Sequence, residues 1–130
     1  MCSFGTGIHS GTSEEDSCYF AFDGRGNVLA QAFFPEDGRI HFDEDENWTS
    51  NTGPGVNLLT IALHEIGHAL GMDHSGVNAA VMHAIAKKGE NAVRKLHSDD
   101  IAGIRELYGK KSPLSFLFIC SLALLTKDYQ

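Results

Sequence analysis

Cysteine is scarce in this sequence and has no pattern. Cys2, Cys18 and Cys120 are an odd number at wide spacing, which supplies neither a disulfide framework nor a cysteine zinc site and leaves the redox compartment open. Positive charge is also scarce. Ten Lys and Arg stand against 17 Asp and Glu, a formal net charge of -7, so nonspecific attraction to nucleic acid or anionic membrane is not expected. No apolar run is long enough to cross a bilayer as a helix, which needs ~20 residues. The strongest, residues 114–125 (LSFLFICSLALL), follows Pro113 and reads either as a clipped or misassembled terminus or as a packed or membrane-touching tail. No basic and apolar leader follows Met1, and no internal repeat is visible. What remains is 130 residues, 42% hydrophobic and 21% charged, room for one domain with one core.

Periodicity sketches the elements. Residues 1–26, rich in Gly, Ser and acids, read mostly as loop. Residues 28–34 (VLAQAFF) read as a strand, ended by Pro35 and the turn Glu36-Asp37-Gly38, and residues 39–42 as a second short strand. Residues 47–56 are a loop punctuated by Gly53-Pro54-Gly55. A helix is expected over residues 57–72, with Leu59, Leu63, Ile66 and Leu70 as its core stripe and Gly71 as its stop. After an irregular stretch, a last helix starts at Ser98 as N-cap. Asp99 and Asp100 favour its first turn, Ile101, Ile104, Leu107 and Tyr108 form its buried stripe, and Gly109 follows its end.

The chemistry is concentrated in His64-Glu65-Ile66-Gly67-His68-Ala69-Leu70-Gly71-Met72-Asp73-His74. His64 and His68, four apart, project from one helix face and can reach one metal at ~2.0–2.1 Å. A straight helix cannot bring a third ligand to that ion. Gly71 tolerates positive φ, so the chain can turn there and return His74 from outside the helix. Three histidines leave one coordination position open, as in catalytic zinc sites. Glu65 flanks the site without being a ligand, placed to serve as the general base on a metal-activated water. Of the other histidines, His83 and His97 read as surface residues.

The long motif resembles that of the metzincins, and Ser75 after the third histidine resembles the matrix metalloproteinases, or matrixins, in particular. Ala80-Val81-Met82 looks like the Met-turn, in which the methionine forms an apolar floor and is not a ligand. The segment His97-Ser98-Asp99-Asp100-Ile101-Ala102-Gly103-Ile104-Arg105-Glu106-Leu107-Tyr108-Gly109 resembles the closing helix of matrixin catalytic domains. Upstream, Phe22-Asp23-Gly24, the 28–35 segment and the stretch from His41 to Thr49 match the family in order. The resemblance covers residues 2–109, a partial catalytic domain; residues 110–130 are a separate hydrophobic tail of unclear status.

That resemblance implies an α+β, zincin-like fold: a small mixed sheet, an active-site helix and a C-terminal helix. It implies a zinc endopeptidase acting on extracellular matrix or other extracellular proteins, secreted, monomeric and with peptide or protein as partner. Peptide would add as a strand along residues 28–34, with main-chain bonds near Leu29 and Ala30. It implies a calcium site from Asp23, Gly24, Gly26, Val28, Asp43 and Glu46, whose oxygen donors suit that ion. Glu14-Glu15-Asp16, by contrast, reads as a solvated loop. A second, structural zinc would draw on His41 and His9. Gly11 stands where the family has its aspartate, so Asp16 would have to substitute, and Gln31 stands where another histidine belongs; that site is expected to be weakened. Ala84 and Ala86 replace the family's Pro and Tyr at the wall of the S1′ specificity pocket, so substrate preference does not carry over. The family's first strands, long helix and inhibitory prodomain have no counterpart in the sequence, and the competing expectation is a noncatalytic remnant that binds zinc or peptide without turnover.

Overall fold

The computed structural model describes residues 2–6, 21–50, 54–85 and 94–109. His9, Asp16, Cys18, Ala86, Cys120 and the apolar run at 114–125 lie outside them. The architecture is α+β. Strand β1 (Cys2–Gly5) is followed by β2 (Ala30–Ala32), β3 (Ile40–Asp43), β4 (Trp48–Thr49), β5 (Val56–Asn57) and the helices α1 (Leu58–Ala69) and α2 (Ser98–Tyr108).

The sheet is mixed, as expected, with order β1-β3-β2. β1 runs parallel to β3, with Phe4 opposite Phe42; β2 runs antiparallel to β3, with Gln31 opposite His41. The expected 28–34 strand is three residues long by strict pairing, but its ladder reaches further. Asp43 N–H donates to the Leu29 carbonyl at 3.0 Å and Phe33 N–H to the Arg39 carbonyl at 2.9 Å. Two expectations are corrected. Residues 2–5 are a strand, not loop, because β3 offers them a partner some forty residues away. The 47–56 loop contains β4 and β5, which pair in parallel from Trp48 opposite Val56. Both segments are too short for alternation to announce a strand locally.

Ile40 and Phe42 of β3 meet Ile61 of α1 in the core, each burying a side chain for about 1.5–3 kcal/mol. Phe42 also stacks on Phe4 at 5.2 Å and meets Trp48 edge-on at 5.8 Å. Asn57 caps α1, its side-chain oxygen accepting from Thr60 N–H at 3.0 Å. The helix ends in a Schellman turn. Gly71 adopts φ +94°, its N–H donates to the His68 carbonyl at 2.8 Å, and Met72 N–H donates to the Gly67 carbonyl at 2.9 Å.

The expected stripe of α1 is half-buried throughout; the fully buried positions are Ile61, Glu65 and Gly67. Leu63, Ile66 and Leu70 line an apolar cleft facing Met72, Leu96 and Ile104 instead. In α2 the N-cap is His97, not Ser98. Its Nδ1 accepts from Asp99 N–H, and Asp100 accepts from His97 N–H, a reciprocal cap. Leu107 and Tyr108 are 49% and 56% exposed, so they are not part of a buried stripe. The inward face of α2 is set by Asp100, only 3% exposed, and the tip of Tyr108 merely reaches the Leu70 carbonyl at 2.8 Å. Among the described residues no helix is long and apolar enough to cross a membrane.

Candidate metal centre

His64 and His68 stand one turn apart on α1, and the Schellman turn brings His74 back towards them. His68 Nε2 lies 3.1 Å from His64 Nε2 and 3.1 Å from His74 Nε2. Nitrogens bound at ~2.0–2.1 Å to one tetrahedral ion stand roughly 3.3 Å apart, so the triad has nearly ligand geometry. Among the described residues it is the only group of three or more His, Cys, Asp or Glu able to close on one ion.

The outer nitrogens decide the tautomers. His64 Nδ1 is 2.8 Å from the Val81 carbonyl and His68 Nδ1 is 2.8 Å from the Met72 carbonyl. A carbonyl only accepts, so each Nδ1 carries the proton and each Nε2 presents a lone pair. Burial holds the pKa of both rings below the usual histidine value, assisted by neighbouring imidazoles and opposed by those carbonyl bonds. Neutral rings with lone pairs aimed at one point repel one another unless a cation sits between them. The donor set therefore fits a zinc-like ion, with the outer hydrogen bonds orienting the ligands.

Glu65 is 6% exposed and lines the same cleft as the triad. Burial raises its carboxyl to about pKa 7. The cleft is about 600 Å³, ordinary for a ligand site, with the 27–34 segment on one side and Thr60, Ile61, Val81 and His83 among its other walls. β2 forms an edge of the sheet. Because Leu29 and Phe33 bond to β3, alternation turns the main-chain groups of Ala30 and Ala32 to the free edge. Of the two residues expected near a bound peptide, Ala30 lies on this free edge, whereas the Leu29 carbonyl accepts from Asp43 N–H.

Met82 is 2% exposed and packs against Gly67, between the two helical histidines. Its turn is held from α2 in a way that sequence reasoning missed. Asp100 accepts N–H donors from Val81 at 3.0 Å, Met82 at 3.0 Å and His97 at 2.7 Å. The first-turn position of Asp100 signals only a helix dipole; the aim of its carboxylate depends on residues eighteen positions upstream. His83 was read as a surface residue but is half-buried and faces the cleft, paired by a bridge to Ser75. Ala84 and Ile85 beside it are exposed.

The secondary metal segments are arranged differently from the expectation. Asp43 is fully buried; its Oδ1 accepts from Asp45 N–H at 2.9 Å and its Oδ2 has no hydrogen-bond partner among the described residues. Gly26 N–H donates to Glu46 Oε1, and Val28 N–H to Asp23 Oδ1 at 3.4 Å. Loop 23–28 and the 43–46 turn are thus neighbours, but the carboxylates of Asp23, Asp43 and Glu46 do not converge on one point as expected. Each is drawn to a nearby N–H. Gly24 and Gly26 both take positive φ there. His41 lies opposite Gln31, with its Nδ1 3.3 Å from Ser3 Oγ, while its expected companions His9 and Asp16 are outside the described residues.

Two helical imidazoles locked as lone-pair donors, with a third returned towards them by the turn, make a site able to hold a metal on an α+β scaffold of the zincin class. Residues 4–109 match the family model described as Matrixin, most of the chain, and the chain belongs to that family. It is 57% identical over 97 residues to human matrix metalloproteinase-19, covering 75% of this chain and 19% of that protein. It is 51% identical over 92 residues to the hatching enzyme of Paracentrotus lividus, covering 71% and 16%, and 47% identical over 115 residues to human matrilysin, covering 86% and 40%. The chain thus spans between about a sixth and two fifths of the length of these relatives.

Proposed function

We propose that the chain is the zinc-binding, catalytic portion of a secreted endopeptidase that cleaves proteins of the extracellular matrix or other extracellular proteins. The observation that supports this most is the convergence of the His64, His68 and His74 Nε2 atoms, two of them locked as lone-pair donors by carbonyls behind them. When bound there, zinc supplies a Lewis acid that polarises a carbonyl and acidifies water. The Glu65 carboxylate takes the proton of the attacking water and returns it to the leaving amine nitrogen. Ala30 and Ala32 offer main-chain donors and acceptors to an extended peptide, holding the scissile bond across the cleft. Met82 keeps the floor under the ligands dry and rigid.

Calcium held by Asp23, Gly24, Gly26, Val28, Asp43 and Glu46 is part of the same reading. A buried carboxylate oxygen without a partner is costly, and a hard cation drawing the three carboxylates together would satisfy it. The second zinc, at His41 with His9 or Asp16, is disfavoured by Gln31, whose amide is a poor zinc ligand.

The test is metal content together with hydrolysis of a quenched-fluorescence peptide by the purified chain, beside Glu65→Gln. Zinc retained in both, with turnover lost by roughly 10²–10⁴-fold in the variant, is the expected result. Zinc binding without turnover in the parent chain would favour the noncatalytic remnant instead.

A further inference from the structure

The third ligand is held differently from the other two. His64 and His68 sit on α1, with ring nitrogens tied to the Val81 and Met72 carbonyls. His74 is exposed, beyond the helix end, on a segment that leaves α1 through the turn at Gly71. What holds that segment is the next residue. Ser75 N–H donates to the Met82 carbonyl at 2.8 Å, and Ser75 pairs with His83 in an isolated bridge. Its Oγ accepts from Val77 N–H at 3.0 Å and donates to Asp99 Oδ2 on α2 at 2.5 Å.

We infer that Asp99 is a positioning residue for the metal centre: through Ser75 it fixes the backbone that presents His74, and so sets how long the ion is held. This rests on the metal reading above. α2 then grips the site twice from adjacent residues, Asp100 on the Met-turn behind His64 and Asp99 on the turn behind His74. Asp99 touches neither ion nor substrate. Its usual explanation, a carboxylate complementing a helix N-terminus, requires charge but not a partner. A short, direct bond to a hydroxyl 24 positions upstream is a separate role, and the two roles respond differently to substitution. Asparagine keeps an oxygen that can accept from Ser75 but removes the charge; alanine removes both.

The experiment follows zinc release from the zinc-loaded full chain into excess chelator, with circular dichroism verifying that each variant stays folded. Partners that orient ligands from behind typically change metal affinity by about 10–100-fold. Asp99→Ala and Ser75→Ala should each release zinc about tenfold faster. The double variant should be no faster than Ser75→Ala alone, because that variant has already lost the Ser75–Asp99 bond together with the Val77 contact. Asp99→Asn should release zinc close to the parent rate. Release by Asp99→Asn as fast as by Ser75→Ala, or additive effects in the double variant, would overturn the proposal and assign Asp99 to the helix terminus alone. If Asp99→Ala does not fold, the comparison of Asp99→Asn with Ser75→Ala decides by the same criterion. A parent chain that takes up no zinc would overturn the metal reading itself and this role with it.

Discussion

A side chain at Gly67 would collide with Met82: a Cβ built there lies 2.9 Å from the methionine Cε and closer still to its Sδ. The missing side chain lets the Met-turn rise against the helix between His64 and His68. Met82 is 2% exposed and has little room to retreat. Gly67→Ala should therefore destabilise the fold by about 1–3 kcal/mol, the usual range for overpacking, against the small gain in helix propensity that alanine brings. Urea unfolding measures it. An unchanged midpoint would mean that Met82 repacks freely and that this contact does not hold the ligands.

Asp100 should be costlier to lose. Its carboxylate serves three backbone donors, two of them in the Met-turn, and the carbonyl of Val81 in that turn orients His64. Orphaning three donors at about 1–3 kcal/mol each predicts at least about 3 kcal/mol lost in Asp100→Ala, with lowered zinc content. Asp100→Asn keeps one acceptor oxygen and should fall between parent and alanine. Equal stability of the asparagine and parent proteins would show that the bonds of a single oxygen suffice, since Oδ2 alone accepts from Val81 and His97.

Calcium should raise the melting temperature. A ligand that binds only the folded chain stabilises it by about 2.7 kcal/mol at a hundred times its dissociation constant. Asp43 is the residue to remove, because its buried Oδ2 lacks a partner among the described residues. In differential scanning fluorimetry, Asp43→Asn should lose most of the calcium-dependent shift. A full shift in that variant would place the ion elsewhere.

Zinc should number one per chain. His41 faces Gln31 across the β2–β3 ladder, and its Nδ1 approaches Ser3 Oγ. His41→Ala should leave the zinc count by atomic absorption unchanged, whereas His68→Ala should bring it near zero. Two zinc ions in the parent, one lost on His41→Ala, would mean that His9, Asp16 or another donor compensates for Gln31.

By itself the sequence determined the parts that local periodicity encodes. The apolar stripe from residue 59, the four-residue step from His64 to His68 and Gly71 at the exit state α1, its end and the return of His74, because helix geometry and a positive φ depend on near neighbours only. Glu65 and Met82 were legible by motif, and the edge strand by its apolar run. The tertiary structure alone decided that residues 2–5 and 48–57 pair as strands, since an edge bonds to whatever partner folding brings beside it. It alone decided that Asp100 turns inward while Leu107 and Tyr108 stay out, and that Asp99 reaches Ser75. Helix periodicity assigns faces from side-chain polarity, but a buried carboxylate with three donors outweighs an apolar stripe. Those donors come from a turn that the linear pattern does not place beside it.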